Sequence, residues 1–216
     1  MKRITTNYLL LVLFALLLSS PAEAQRNKHK SSRQFDFELR GGLNFCQIDG
    51  DASAHFNKIG FHGGFNTSFP ISDDARWRFL VEIGLTQKGS RINNSTLDRN
   101  ISLLYVEVPL MIAYDFLEDK NFRAAFGIAP AILAHAHVTT DGSYDAPQSE
   151  NYKRLDALPV CVSLRYRFTD HIGIDLRWYN SMLNTAIENG SGTYRIFRSN
   201  KGQFNRLIQA GITLCF

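Results

Sequence analysis

Apolar and polar residues alternate with a period of two through most of the chain, and the alternation is cleanest at its end. Over residues 205–216, Arg206, Ile208, Ala210, Ile212, Leu214 and Phe216 share one face, and Leu207, Gln209, Gly211, Thr213 and Cys215 share the other. Successive side chains of a strand point to opposite faces, so this is the signature of a half-buried β-strand. The same signature recurs at residues 35–45, 60–69, 77–88, 104–114, 122–133, 160–168 and 172–178. In the third of these, Phe79, Val81, Ile83 and Leu85 stand against Glu82, Gly84, Thr86 and Lys88. In the sixth, Val162, Leu164 and Tyr166 stand against Cys161, Ser163, Arg165 and Arg167. With the final segment this makes eight strands, of lengths that suit tilted strands crossing a bilayer.

The connections add direction. Residues 70–76, 115–121 and 169–171 are short and rich in turn formers, whereas 46–59, 89–103, 134–159 and 179–204 are long. Short turns alternating with long loops are the habit of an up-and-down barrel of the outer membrane. Eight strands place both ends on the periplasmic side. A last strand ending on Phe216 is expected to seal the barrel's edge and to be what the barrel-assembly machinery engages.

The front of the chain fits export. Met1-Lys2-Arg3 is basic, residues 8–18 are apolar, and Ala22-Glu23-Ala24 resembles a cleavage site. The expected organisation is a signal peptide over residues 1–24, a flexible basic arm over 25–34 and a barrel domain over 35–216. A net charge of +4 spread along the chain gives a nucleic-acid partner no support. Three cysteines, Cys46, Cys161 and Cys215, fall on different strands without metal-like spacing. They read as small unpaired lumen residues, with a single disulfide as the alternative.

Period alone does not say which face meets lipid, and a secreted lipocalin-like barrel shares the alternation with its apolar side inward. The polar face carries both signs of charge (Glu38, Arg40, Glu82, Glu107, Arg165, Arg167, Asp175, Arg177) among small residues, a set that fills a narrow lumen with ion pairs. Glu82 and Glu107 are each expected to face Arg40 or Arg165, with register left open. Phe35, Phe69, Trp77, Tyr114, Phe122, Phe168 and Phe216 gather at strand ends as an interfacial girdle does. The expectation is a transmembrane barrel with its polar face inward.

Several motifs carry a resemblance. Arg40-Gly41-Gly42-Leu43-Asn44-Phe45, Gly60-Phe61-His62-Gly63-Gly64-Phe65, residues 82–89, Tyr105-Val106-Glu107-Val108-Pro109-Leu110, Ala125-Phe126-Gly127-Ile128-Ala129-Pro130 and Leu164-Arg165-Tyr166-Arg167-Phe168 follow one another in order. Together they resemble the PorT-like outer-membrane β-barrel proteins of Bacteroidetes. The resemblance implies an eight-stranded outer-membrane barrel and, through the founding member, a link to a protein-secretion and gliding apparatus.

Chemistry is sparse. His135-Ala136-His137 with Asp141 is the nearest approach to a metal set, and a polar strand-edge loop base is the plainer reading. A hydrolytic site needs a nucleophile, a base and an orienting group within reach. His62 and Ser68 lie too far apart along one strand, and Ser143 with His135, His137 and Asp141 depends on loop geometry. No catalytic, cofactor-binding or metal residue is assigned, and no cofactor is expected. Loop cations Arg91, Arg99, Lys153, Arg154, Arg195, Arg198 and Lys201 are solvated charge or contacts to lipopolysaccharide phosphates. The sequons at Asn66, Asn94 and Asn189 read as coincidence. The function expected is that of a non-enzymatic envelope barrel acting through partners, such as components of a secretion complex, in contact with outer-membrane lipid and lipopolysaccharide. The alternatives are a narrow conduit, a lipid A-modifying enzyme and a secreted ligand-binding barrel.

Overall fold

The computed structural model describes residues 35–50, 55–94, 97–116, 121–186 and 202–216. The expected signal peptide and basic arm lie outside them. The described residues form one antiparallel sheet of twelve strands: β1 (Asp36–Asp49), β2 (Lys58–Pro70), β3 (Trp77–Asn94), β4 (Leu97–Glu107), β5 (Leu110–Asp115), β6 (Phe122–Ile128), β7 (Ala131–Thr140), β8 (Ser143–Tyr144), β9 (Leu155–Asp156), β10 (Pro159–Arg167), β11 (Ile172–Ser181) and β12 (Phe204–Cys215). One short helix, α1 (Ala146–Glu150), interrupts the stretch between β8 and β9.

Two prolines account for much of the difference between twelve strands and the eight expected. Segment 104–114 is interrupted at Val108-Pro109, and segment 122–133 at Ala129-Pro130. Proline has no N–H to give to a ladder. Its carbonyl still accepts, and the ladder passes through both breaks: Glu82 N–H donates to Pro109 O (3.0 Å), Val108 N–H to Pro130 O (2.9 Å) and Ala129 N–H to Pro159 O (2.9 Å). β4 and β5 are thus one course of chain, as are β6 and β7. The remaining extra strands, β8 and β9, fall in a stretch read from sequence as loop.

The sheet closes on itself. Pairing runs β1–β2–β3–β5–β6–β10–β11–β12 and returns from β12 to β1, with Leu43 opposite Ala210 and Arg40 opposite Thr213 at the seam. No edge is left in this ring, which removes the usual route to edge-to-edge aggregation. The seam also demands glycine. A Cβ on Gly42 would lie 2.2 Å from Ala210 O and 2.5 Å from Gly211 Cα, both backbone atoms. Gly42→Ala is therefore expected to destabilise the folded protein by about 1–3 kcal/mol, seen as a lower denaturant midpoint after refolding in detergent.

Polarity is inverted relative to a water-soluble core. Phe65, Ile83, Leu85, Leu164, Ile174, Leu176 and Ile212 are exposed on the outside, while Glu38, Arg40, Asn44, Glu82, Arg165, Asp175, Arg177 and Gln209 are buried inside. This is the opposite of a soluble calyx, whose apolar side would face inward. At the end of the barrel bearing the short turns the aromatics touch in chains. Phe35, Phe69 and Phe79 follow one another at 6.0 and 5.4 Å, and Trp77, Tyr114, Phe116 and Phe122 at 4.9, 4.9 and 5.6 Å. Just below them, Ser72 and the Arg76 N–H hydrogen-bond the Asp74 carboxylate and hold it below the usual carboxylate range.

Beyond the opposite end the loops read from sequence at 89–103 and 134–159 are partly strand. β3 runs on to Asn94, β4 starts at Leu97, and β7 reaches Thr140. Here the inside becomes apolar: Ile48, Ile101, Leu103, Tyr105, Val138 and Tyr152 pack together. The outside becomes polar, with Arg91, Asp98, His135 and His137 exposed. The wall therefore changes from lipid-compatible to water-compatible at about the level of Lys88 and Tyr105. That reversal is why a rule seeking apolar residues on one constant face loses these strands.

Candidate functional site

The lumen is the densest assembly of chemistry in the molecule, and strand parity builds it. Every second residue of β1, β2, β3, β10, β11 and β12 points inward, so their charges converge in layers. Nearest the short turns, Arg123 meets Asp115 at 2.6 Å and 3.0 Å with two of its nitrogens, and Asp36 at 3.1 Å. Arg78 reaches Asp36 at 3.2 Å and Ser68, and Arg165 lies against Glu38.

The middle layer is a crossed pair of pairs. Arg40 contacts Glu82 at 3.0 Å and Asp175 at 2.7 Å, while Arg177 contacts the same two carboxylates at 2.8 and 3.1 Å. His62 completes it. An arginine only donates, so His62 Nε2 accepts from Arg40 at 3.2 Å, and the proton on Nδ1 is given to Asn44 Oδ1 at 2.7 Å. The Asn44 amide group in turn donates to Phe61 O and Gln87 O, leaving its oxygen to accept.

Above this, Lys88 is held by Glu107 at 2.7 Å and Asp156 at 3.6 Å, with its ammonium 4.7 Å from the centre of the Tyr105 ring. Thr86 donates to Glu107 and Ser181 to Asp156. Of the pairings left open by sequence, Glu82 faces Arg40, whereas Glu107 faces Lys88 rather than an arginine. Asp156 comes from β9, in a stretch read as loop, and no sequence pattern marks it as a lumen residue. Arg78 and Asp115 were not assigned to the polar face, Asp115 being read into the turn at 115–121, although both keep the inward parity of their strands past the buried Leu80 and past Met111 and Ala113.

The charges nearly cancel. Arg40, Arg78, Lys88, Arg123, Arg165 and Arg177 stand against Asp36, Glu38, Glu82, Glu107, Asp115, Asp156 and Asp175. Among the described residues the bore is also packed with side chains. Lys88, Tyr105, Tyr179 and Leu207 are each at most 1% exposed. Cys46 and Cys161 lie in the same packed interior, Cys161 against Met111, and all three cysteines are free and buried.

A model of a protein family described as "outer membrane protein beta-barrel domain" matches residues 23–187. The chain belongs to that family. The family places this barrel in the outer membrane. Among solved structures, Neisserial surface protein A is similar at 14% identity over 83% of this chain and 97% of its own, with a TM-score of 0.48. Ail, the attachment invasion locus protein of Yersinia pestis in complex with the heparin analogue sucrose octasulfate, is similar at 12% identity over 85% and 99%, with a TM-score of 0.49. OprG from Pseudomonas aeruginosa is similar at 13% identity over 84% and 95%, with a TM-score of 0.43. No curated protein matches the chain.

In this outer-membrane barrel both histidines of the motif are exposed on the outer wall of β7. His135 and His137 stack at 6.3 Å, and His137 stacks on Tyr144 at 5.1 Å. Asp141 is occupied at the turn, where its carboxylate accepts from Asp98 N–H at 3.1 Å. Of the loop cations, Arg91 is exposed and 3.9 Å from Asp98, and Arg154 is exposed at the rim. Arg195, Arg198 and Lys201, with the sequon at Asn189, lie outside the described residues.

Proposed function

We propose that this protein is an eight-stranded, up-and-down transmembrane barrel that acts as a non-enzymatic, non-conducting interaction protein of the cell envelope. The observation that carries this reading is the filled lumen. Large side chains from different strands meet inside it, held by paired charges, and an eight-stranded barrel is only wide enough for its own side chains. The work then falls to the surfaces beyond the bilayer: the strand-built collar of β3, β4 and β7 on one side, and the turns with the basic arm on the other.

The signal peptide over residues 1–24 delivers the chain across the inner membrane, and an even strand count leaves both termini in the periplasm. The terminal strand, through Phe216, is the segment offered to the assembly machinery. The PorT-like motifs support docking to an envelope machine such as a secretion apparatus, with Arg26, Lys28, Lys30 and Arg33 of the arm as the charged contact. Conductance tests the carrying observation. Purified protein reconstituted in planar bilayers is expected to show no discrete current steps in molar salt. Reproducible steps abolished by enlarging a lumen side chain would establish a narrow conduit instead. Crosslinking in native membranes, with and without residues 25–34, then identifies the partner that the arm engages.

A further inference from the structure

The height at which the wall changes polarity holds a cleft. β9 runs beside β7, with Ala131 opposite Asp156 and Ile132 opposite Leu155. The two chains stay joined at Leu133 N–H to Arg154 O (2.7 Å). Further along, Tyr152 packs into the apolar cluster that Leu133 and Ala136 lie against, and Ser149 Oγ accepts from Val138 N–H (3.0 Å). Between these two points lies an open cleft of about 400 Å³, lined among others by Ala134, His135, Ala136, Ser149, Glu150 and Arg154.

A β-bulge shapes it. Register between β4 and β7 shifts so that Leu104 faces His135 while Tyr105 faces Leu133, leaving Ala134 as the extra residue. Below the bulge, Ile132 points out; above it, His135 and His137 do. The bulge therefore puts an imidazole, rather than another small apolar side chain, on the outer wall at the cleft. Ala134, the extra residue, is exposed beside it and keeps the floor low, while Ala136 packs against the interior cluster behind.

The surroundings define what fits. Immediately below, Ile132 and Leu155 are each 56% exposed and side by side, the upper end of the apolar wall. In the cleft itself, His135 and Arg154 supply nitrogen donors, and Glu150 supplies an acceptor. The neighbouring carboxylate, Asp156, is turned into the lumen towards Lys88 and Ser181, where it does not repel an anion. An apolar seat beneath a donor-rich cleft suits an amphiphile with an anionic headgroup. The Glu150 carboxylate further suits a headgroup with hydroxyl or amide donors of its own.

We propose that this cleft seats the phosphorylated sugar headgroup of an outer-leaflet glycolipid, with an acyl chain lying over Ile132 and Leu155. The proposal rests on the reading of the barrel as membrane-spanning with its collar at the outer leaflet. The test uses the full mature chain folded in phosphatidylcholine nanodiscs doped with lipid A, with bound lipid counted by native mass spectrometry. Both leaflets of a disc are alike, so failure here counts against the cleft and leaves the orientation in the cell untouched.

Lipid A is expected to remain bound to the wild type and to be retained about tenfold less by Arg154→Gln and by His135→Gln. Arg91→Gln, on exposed β3, is expected to change nothing. Glu150→Gln is expected to narrow the preference for lipid A over phosphatidic acid. A shift in gel mobility on heating confirms that each variant is folded. Equal retention by wild type, Arg154→Gln and His135→Gln would overturn the proposal. So would equal retention of dephosphorylated lipid A, or displacement by inorganic phosphate at millimolar concentration, which would mark a free-anion site.

Discussion

Arg40→Met is expected to lower the unfolding free energy of the refolded protein by about 3–5 kcal/mol, the usual effect of removing one partner from a buried ion pair. Its guanidinium bonds Glu82, Asp175, His62 and Gln209 at once. Removing it leaves two carboxylates, both at most 4% exposed, sharing Arg177 as their one ion-pair partner among the described residues. Desolvation of a carboxylate is costly, and one cation does not satisfy the oxygens of two. Methionine keeps most of the volume, so the loss reports charge rather than a cavity. Urea titration in lipid vesicles, followed by tryptophan fluorescence, reads it. A change within about 0.5 kcal/mol, the size of a surface effect, would mean that water fills the lumen and that the network is not what holds the strands.

Leu176→Arg reads the opposite side of the same wall. Leu176 is 50% exposed midway along β11, between Ile174 and Trp178 on the outside. In a water-soluble protein an exposed leucine accepts arginine with little effect. At the middle of a bilayer the same change costs about 2–4 kcal/mol. The expected result is a loss of that size in vesicles, falling towards zero for the same substitution at Ile59, near the level where the wall turns polar. Equal, small effects at both positions would mean that the outer face is not buried in lipid.

Much of this fold was legible because a barrel wall obeys one simple rule at the height of the membrane. Inward and outward residues alternate, so Glu82 between Val81 and Ile83, or Arg165 between Leu164 and Tyr166, announces its own direction. The rule fails for identifiable reasons. Pro109 and Pro130 cut two strands whose alternation continues across the break, so eight courses of chain become more strands. Above Lys88 the inside turns apolar, so Ile101, Leu103 and Val138 mark the interior with the residues that mark the exterior lower down. The bulge at Ala134 then shifts parity by one, and His135 and His137, read from sequence as part of a polar strand-edge loop base, stand as stacked rings on the outer wall of β7.

The lumen network was legible in membership more than in pairing. Parity placed Glu38, Arg40, Glu82, Asp175 and Arg177 on one polar face, and the mixed charges of that face with the aromatic girdle at the strand ends turned it inward. Which charge met which depended on stagger between strands, and a period of two carries no information about stagger. Arg40 reaches Asp175 across β12, because the ring brings β1 and β11 to either side of that strand. Asp156 escaped altogether, since a two-residue strand inside a long connection has no pattern to read.

The most direct test of the inverted barrel uses the two tryptophans the chain already carries. Trp77 stands at the short-turn end of the outer wall and Trp178 towards the other end, 43% and 41% exposed. In vesicles of lipids brominated on their acyl chains, both are expected to be strongly quenched, while aqueous iodide leaves them bright. Strong quenching by iodide with none from brominated chains would contradict a wall that faces lipid, and with it the transmembrane barrel.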